Sequence, residues 1–320
     1  MKKLLSLILI VMMLLTLTAC GGGTADDGKL SIVCTTFPHY DWVRNILGSH
    51  LSEFNLTLLL NSGTDLHNYQ PTAPDLITIG ACDLFIYIGG ESDSWAEKAL
   101  ANPSNENRQE LALLHSAELI AHQHEDNHDE HEHEEGHEHA FDEHIWLSLS
   151  NAASLVEVIT SKIAEIDPEN ADDYNKNAER YIADIDALDE QYRECVDNAD
   201  YDTLVFAGQF PFAYMACDYD LDYYAATNSC SAEMGPGVSR LLELAKVVDE
   251  KNLPAVLLIE TTNRSDAEAI ISATEDQDQL ILTLDSMQSV NQSRIDADIT
   301  YMKIMESNLA VLQQALYKGE

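Results

Sequence analysis

The chain has 320 residues, 45% of them hydrophobic and 23% charged, a composition that gives a globular protein with length enough for two domains. Its 56 Asp and Glu outnumber 17 Lys and Arg, for a net charge of −39 at pH 7. That balance excludes a basic nucleic-acid-binding face and a polybasic grip on membrane lipid, and it suits a protein that meets cations.

The chain opens as a processing signal. Lys2 and Lys3 precede the apolar run Leu4–Leu17, which is too short to span a bilayer, and Leu17-Thr18-Ala19-Cys20 follows. This segment resembles a bacterial lipobox, in which the Cys20 thiol is lipidated and becomes the new N-terminus. Residues 1–20 are therefore expected to be a lipoprotein signal peptide and 21–28 a flexible tether, with the protein outside the cytoplasm and anchored to a membrane by lipid. Of the other five cysteines, Cys34 and Cys82 sit in strand-like apolar runs and read as buried small hydrophobes. Cys195, Cys217 and Cys230 complete the set; there is no C-x-x-C, and an odd number cannot all pair internally.

From Lys29 short apolar runs alternate with helical patterns. Leu30–Cys34, Asn55–Leu60, Leu84–Ile88 and, more weakly, Leu111–Leu114 read as strands. Tyr40–Leu47 and Ser150–Ile166 read as helices. A second unit begins near Thr203, with strands Thr203–Ala207, Ala255–Glu260 and Leu280–Leu284 and a helix Val238–Val248. Ser265 and Glu268 read as a capping box opening another helix, and Ile299, Met302, Met305, Leu309, Leu312 and Leu316 form one stripe of a last one. Between the units, Glu169–Asn198 lacks Gly and Pro and carries Tyr174, Ala178, Tyr181, Ile185 and Leu188 at helical spacing. The expected fold is α/β: two doubly wound α/β domains joined by a long rigid helix. The expected boundaries are an N-terminal lobe over 29–167, a linking helix over 168–198 and a C-terminal lobe over 199–320.

Residues 121–143 interrupt the first lobe. Seven of the twelve histidines fall here (His122, His124, His128, His131, His133, His137 and His139), with ten carboxylates between Glu125 and Glu143. So little is apolar that the segment is expected to be disordered, and its imidazoles to hold transition metal weakly and exchangeably.

Two of the remaining histidines have suggestive settings. His67 lies in Gly63–Pro71, just past the second strand, and His144 lies in Asp142–Leu147, just before a helix. Asp285 ends the strand Leu280–Leu284, and Gln209 follows Thr203–Ala207. Ligands of open α/β sheets bind beyond the carboxyl ends of the strands, where His67, Gln209 and Asp285 all fall.

Three stretches then resemble one family, the zinc/manganese-binding lipoproteins of ABC importers (the cluster A-I solute-binding proteins). Asp65-Leu66-His67-Asn68-Tyr69-Gln70-Pro71 resembles its D-x-H-x-[YF]-x-P loop. Asp142-Glu143-His144-Ile145-Trp146-Leu147 resembles its D-x-H-x-W-[LM] segment, and Tyr301–Leu309 resembles its Y-x-x-x-M-x-x-N-L ending. The acidic linking helix and the His-rich insertion match as well. The resemblance implies that His67 and His144 are the first two metal ligands and Asp285 the carboxylate ligand. The family's third ligand is a His five residues before the Tyr matched here by Tyr214, and this chain has Gln209 there. His39, which follows the first strand, is the proposed replacement, while Glu233 and Glu260 are read as structural.

Two or three imidazoles with one carboxylate complete a tetrahedral zinc shell, which argues for binding rather than hydrolysis. The expected function is a monomeric receptor, not an enzyme, that captures Zn2+ (Mn2+ as the alternative) between its lobes. It hands the ion to an ABC import permease and its ATPase, and binds no nucleic acid. A zinc hydrolase and an adhesin-like surface lipoprotein are the other readings. The first lacks an H-E-x-x-H or an obvious general base, and the second lacks an exposed aromatic patch or repeat.

Overall fold

The computed structural model describes residues 28–101, 103–119, 141–227 and 236–318. The proposed lipid-bearing Cys20, the seven clustered histidines, Cys230 and Glu233 lie outside the described residues.

Each lobe is built on a parallel sheet of four strands. In the first, β1 (Leu30–Cys34), β2 (Phe54–Leu58), β3 (Leu84–Tyr87) and β4 (Gln109–Ala112) lie in the order β2-β1-β3-β4. In the second, β5 (Thr203–Phe206), β6 (Asp222–Ala225), β7 (Ala255–Ile259) and β8 (Leu280–Leu284) lie in the order β6-β5-β7-β8. Parallel pairing demands crossovers, and helices supply most of them. The first lobe contains α1 (Phe37–Leu47), α2 (Ala73–Ala81), α3 (Ala96–Leu100) and α4 (Leu149–Ile166). Next comes α5 (Ala171–Asp197). The second lobe contains α6 (Ala213–Asp218), α7 (Val238–Lys251), α8 (Arg264–Ser272), α9 (Gln292–Asp296) and α10 (Tyr301–Leu316). Both expected α/β lobes are therefore present. In each, the strand order reverses beside the first strand (β1 and β5), which opens a crevice at the carboxyl ends of the strands.

Some local readings change. The run at Leu111–Leu114 pairs over Gln109–Ala112 instead, and Leu113–Ser116 turns into a 3-10 helix. β6 was not foreseen: it is a short edge strand of sequence Asp-Tyr-Tyr-Ala whose first residues face solvent, so it lacks an apolar run. Helix α8 begins two residues earlier than the Ser265–Glu268 pattern suggests. Its cap is Asn263, whose side chain accepts from the Ser265 backbone.

Helix α5 has 27 residues and so is about 40 Å long. Its buried face is Tyr174, Ala178, Tyr181, Ile185, Leu188, Tyr192 and Cys195, which recur every three or four residues. That face packs on α1 and α4 of the first lobe and on α10 of the second. Asn177 donates to the Ile46 carbonyl at 3.0 Å, and the Tyr192 hydroxyl donates to the Met305 carbonyl at 2.7 Å, so each end of the helix is pinned to a different lobe. A helix held this way resists bending more than a loop would, because its own backbone bonds must break for it to flex.

The lobes also meet directly. The Tyr301 backbone N–H donates to the buried carboxylate of Asp41 at 2.9 Å, and its hydroxyl donates to the Trp146 carbonyl at 2.7 Å. Trp146 in turn donates its indole N–H to the Ser286 carbonyl at 2.9 Å, and the Tyr214 hydroxyl donates to the Asp142 carbonyl at 2.8 Å. Beyond these, Ser62 and Asn291 form an isolated antiparallel bridge. Trp42, Trp146, Tyr214 and Tyr301 are all buried, and Trp42 meets Tyr301 edge-on with ring centres 5.3 Å apart. These contacts set residues 142–146 of one lobe against residues 285–288 of the other.

Candidate metal centre

His67 is placed by a chain that leaves β2, bonds two further amides to the β1 end (Leu59 N to Cys34 O and Leu60 N to Thr35 O), and then turns. Asp65 caps the 3-10 turn Leu66–Asn68 by accepting from the His67 backbone N–H at 2.9 Å, and buried Leu66 anchors it. His144 is placed by its own neighbour. One carboxylate oxygen of Asp142 accepts from both the backbone N–H and the ring Nδ1 of His144, each at 2.8 Å. An aspartate two residues before a histidine reaches the histidine's backbone N–H in both loops, and at His144 it reaches the ring as well.

The two imidazoles face each other, Nε2 to Nε2, at 3.3 Å. Each far nitrogen is already held: His67 Nδ1 meets the Ser92 hydroxyl at 2.7 Å, and His144 Nδ1 meets Asp142. A carboxylate only accepts, so the hydrogen of neutral His144 sits on Nδ1 and Nε2 keeps its lone pair. Two zinc–nitrogen bonds of about 2.0–2.1 Å at a tetrahedral angle put their nitrogens about 3.3–3.4 Å apart. The pair thus has the spacing of two ligands on one tetrahedral dication.

Ser92 belongs to a turn that follows β3. Its backbone N–H donates to both carboxylate oxygens of Glu143, at 3.0 and 3.2 Å. A Cβ on Gly90 would fall 2.2 Å from Glu143 Oε1, so glycine at 90 leaves room for the carboxylate that reaches Ser92. Asp142, Glu143 and Ser92 thereby fix both rings from behind. Asp142 and Glu143 stood in the quoted motif without an assigned role, and Ser92 carries no sequence signal: it is one serine in a polar turn.

Burial opposes the charge of either ring. His67 is pushed below the ordinary imidazole range by burial and by the nearby charge of His144. Burial lowers His144 too, but the charge and hydrogen bond of Asp142, with Glu143 behind, outweigh it and leave the pKa raised. Of the two rings His144 is thus the one that favours the proton, and an Nε2–H there would point across the gap at His67. That proton stands where a metal would.

Among the described residues, no group of three or more His, Cys, Asp and Glu side chains converges as a metal set. His39 is fully buried between Trp42 and Trp146, with Nδ1 on the Thr36 hydroxyl at 2.9 Å and Nε2 without a partner among the described residues. Burial pushes its pKa down to about 3, so it stays neutral at physiological pH. Asp285 is turned to other partners: Oδ1 accepts from Met287 N at 2.9 Å and Oδ2 from the Arg294 guanidinium at 2.5 Å. Beside it Glu260 accepts from the amide and hydroxyl of Ser286, both at 2.8 Å, and burial and the charge of Asp285 raise its pKa. Gln209 is half-buried past the end of β5. Cys34, Cys82 and Cys195 are buried free thiols, and burial drives that of Cys34 well above the usual range, so it does not offer a thiolate.

A family model described as the periplasmic component A of the zinc-uptake complex, ZnuA, matches residues 32–315. The zinc-binding lipoprotein AdcA of Streptococcus pneumoniae serotype 4 is 30% identical over 314 residues, which cover 98% of this chain and 61% of AdcA. The chain thus spans less than two thirds of that relative. The high-affinity zinc uptake system protein ZnuA of Bacillus subtilis is 29% identical over 321 residues, covering 98% of both chains. The crystal structure of the zinc-bound ZnuA-like domain of S. pneumoniae AdcA aligns with a TM-score of 0.73 and 25% identity, over 91% of this chain and all of that one.

Proposed function

The chain belongs to the family of the periplasmic component A of zinc-uptake complexes, and on that premise we propose that it is an extracytoplasmic zinc receptor. It captures Zn2+, with Mn2+ as the alternative cargo, between its lobes and delivers it to an ABC import permease driven by an ATPase. It is a transport receptor and not an enzyme. The relatives named as a zinc-binding lipoprotein and a zinc uptake protein support this reading. The observation that carries it is the 3.3 Å approach of two imidazole Nε2 atoms whose rings are fixed from behind.

In this reading His67 and His144 are the resident half of the site, and Asp285 joins from the second lobe by exchanging Arg294 for the metal. Residues 1–20 are the signal segment, Cys20 carries the lipid and 21–28 form the tether. The lobes are 29–167 and 199–320 about the linker 168–198, and the receptor works as a monomer. The histidines between His122 and His139 gather zinc weakly and raise its local concentration, an effect of proximity rather than of affinity.

This division of labour is tested by counting zinc. Equilibrium dialysis against a competing chelator, followed by elemental analysis, should leave one tightly held zinc per chain. The same count should survive deletion of residues 122–139, while weaker zinc binding is lost. Loss of the tight ion on deletion would place the high-affinity site in the loop and overturn the assignment.

A further inference from the structure

Gln288, a residue of the second lobe that no part of the family motifs marks, lies beside His144. It is 3% exposed, and neither its side-chain oxygen nor its nitrogen has a hydrogen-bond partner among the described residues. Its side chain faces the His144 ring and favours that ring's charged form as a hydrogen-bond acceptor would, but the contact is too long or too bent to be a formed hydrogen bond. Gln109 leaves one buried amide oxygen unpartnered, but among the described residues Gln288 alone has both its side-chain oxygen and its nitrogen buried without a partner. The Asn151 side chain exchanges two bonds with the Glu118 backbone, and that of Asn308 exchanges two with the Asp285 backbone. A buried amide without partners opposes folding, so a fold retains one where a ligand will satisfy it.

The loop is built to hold the side chain there. Met287 has a left-handed backbone, with φ of 62°, which a non-glycine residue adopts only when its surroundings impose it. Asp285 accepts from the Met287 N–H, Glu260 accepts from the Ser286 amide and hydroxyl, and the Ser286 carbonyl takes the Trp146 indole. The Trp146 ring stands 5.3 Å from that of His144. Three side chains and one strained residue thus present position 288 to the pair.

We propose that Gln288 is a metal-ligating residue, its side-chain carbonyl oxygen completing, from the second lobe, the shell of a dication held by Nε2 of His67 and His144. The inference rests on the receptor reading above and adds to it a donor of a different chemical kind. A neutral amide oxygen is harder than imidazole, so it relaxes the preference for zinc over manganese that a third histidine would impose.

The test compares the full chain with Gln288→Leu and Gln288→Glu. Zinc affinity is measured by chelator competition, the Co2+ d–d absorption of the loaded protein is recorded, and the melting temperature is measured without metal. Leucine is expected to lower zinc affinity at least about tenfold and to change the cobalt spectrum, while the metal-free protein melts no lower. Glutamate, which keeps an oxygen in place, is expected to bind zinc at least as tightly as the parent. Parent-like zinc affinity and an unchanged cobalt spectrum in the leucine variant would overturn the proposal. Should that variant fail to fold, glutamate decides, since a ligating carboxylate must alter the cobalt spectrum and an unaltered one overturns it. The His67→Ala/His144→Ala chain separates the two levels. If it loses zinc and Gln288→Leu does not, only the Gln288 assignment falls; if it keeps zinc, the receptor site itself falls.

Discussion

Replacing His67 and His144 together by alanine is expected to lower zinc affinity by at least about 1000-fold. Structural zinc sites bind with about 10–16 kcal/mol of apparent free energy near neutral pH, and about 1.4 kcal/mol is tenfold in affinity. Removing the two imidazoles leaves only oxygen donors, which hold zinc far less well than nitrogen does. Each single alanine variant is expected to lose nearly as much as the double, because the two nitrogens act on one ion and their effects do not add. Chelator competition reads the affinity, and the melting temperature of the metal-free chain reads the cost to the fold. That cost falls mainly on His144→Ala, which strands a buried Asp142 carboxylate and removes a ring packed on Trp146. A double variant that binds zinc as tightly as the parent would show that the facing rings hold no metal.

Acid is expected to strip the metal along a defined course. Zinc needs both Nε2 lone pairs, and the proton shared by the pair occupies that space. Since His144 is raised above the ordinary imidazole range, this proton is held more firmly than an isolated histidine would hold one. Affinity should therefore fall about tenfold per pH unit as pH drops below the pKa of the pair, and level off above it. Asp142→Asn separates the two roles of that carboxylate. Without the negative charge, His144 gives up its proton more easily, so the onset of the loss moves to lower pH. Without the acceptor that fixes and polarises the ring, the affinity in the level region drops about 10–100-fold. Chelator competition across the range checks both. A flat profile, or an onset that moves to higher pH in the asparagine variant, would contradict the shared-proton picture.

The N-lobe half of the proposed site was legible in the sequence and much of the other half was not, for physical reasons. His67 and His144 were legible because the D-x-H spacing is a local device: an aspartate two residues back caps the turn and, at His144, orients the ring as well. The linking helix was legible because Tyr174 to Leu188 recur at one period with nothing to break them. Ser92 and Gln288 were not legible. Each acts through contacts with residues 25 or more positions away, and neither a serine in a turn nor a glutamine in a loop has a pattern that announces such a contact. Asp285 was placed correctly at the end of β8, but its engagement with Arg294 depends on the fold of the following loop. β6 was missed because an edge strand half in water needs no apolar alternation.

The asymmetry between the halves bears on how the receptor works. The nitrogen pair is fixed before metal arrives, whereas Asp285 is paired with a guanidinium and Gln288 is buried without a partner. The direct contacts between the lobes and the two-ended anchorage of α5 leave little freedom for wide domain closure. In the proposed reading, capture and release fall to the loop after β8, where Arg294 and the metal would compete for the Asp285 carboxylate. A local exchange of this kind needs smaller motion than a hinge between lobes.

The central claim is that one dication sits between the facing nitrogens of positions 67 and 144. Diffraction at the zinc absorption edge from crystals of the zinc-loaded chain tests it most directly. The account predicts a dominant anomalous peak about 2.0–2.1 Å from Nε2 of both histidines. A dominant peak elsewhere, with the two rings still in mutual contact and no metal between them, would contradict it.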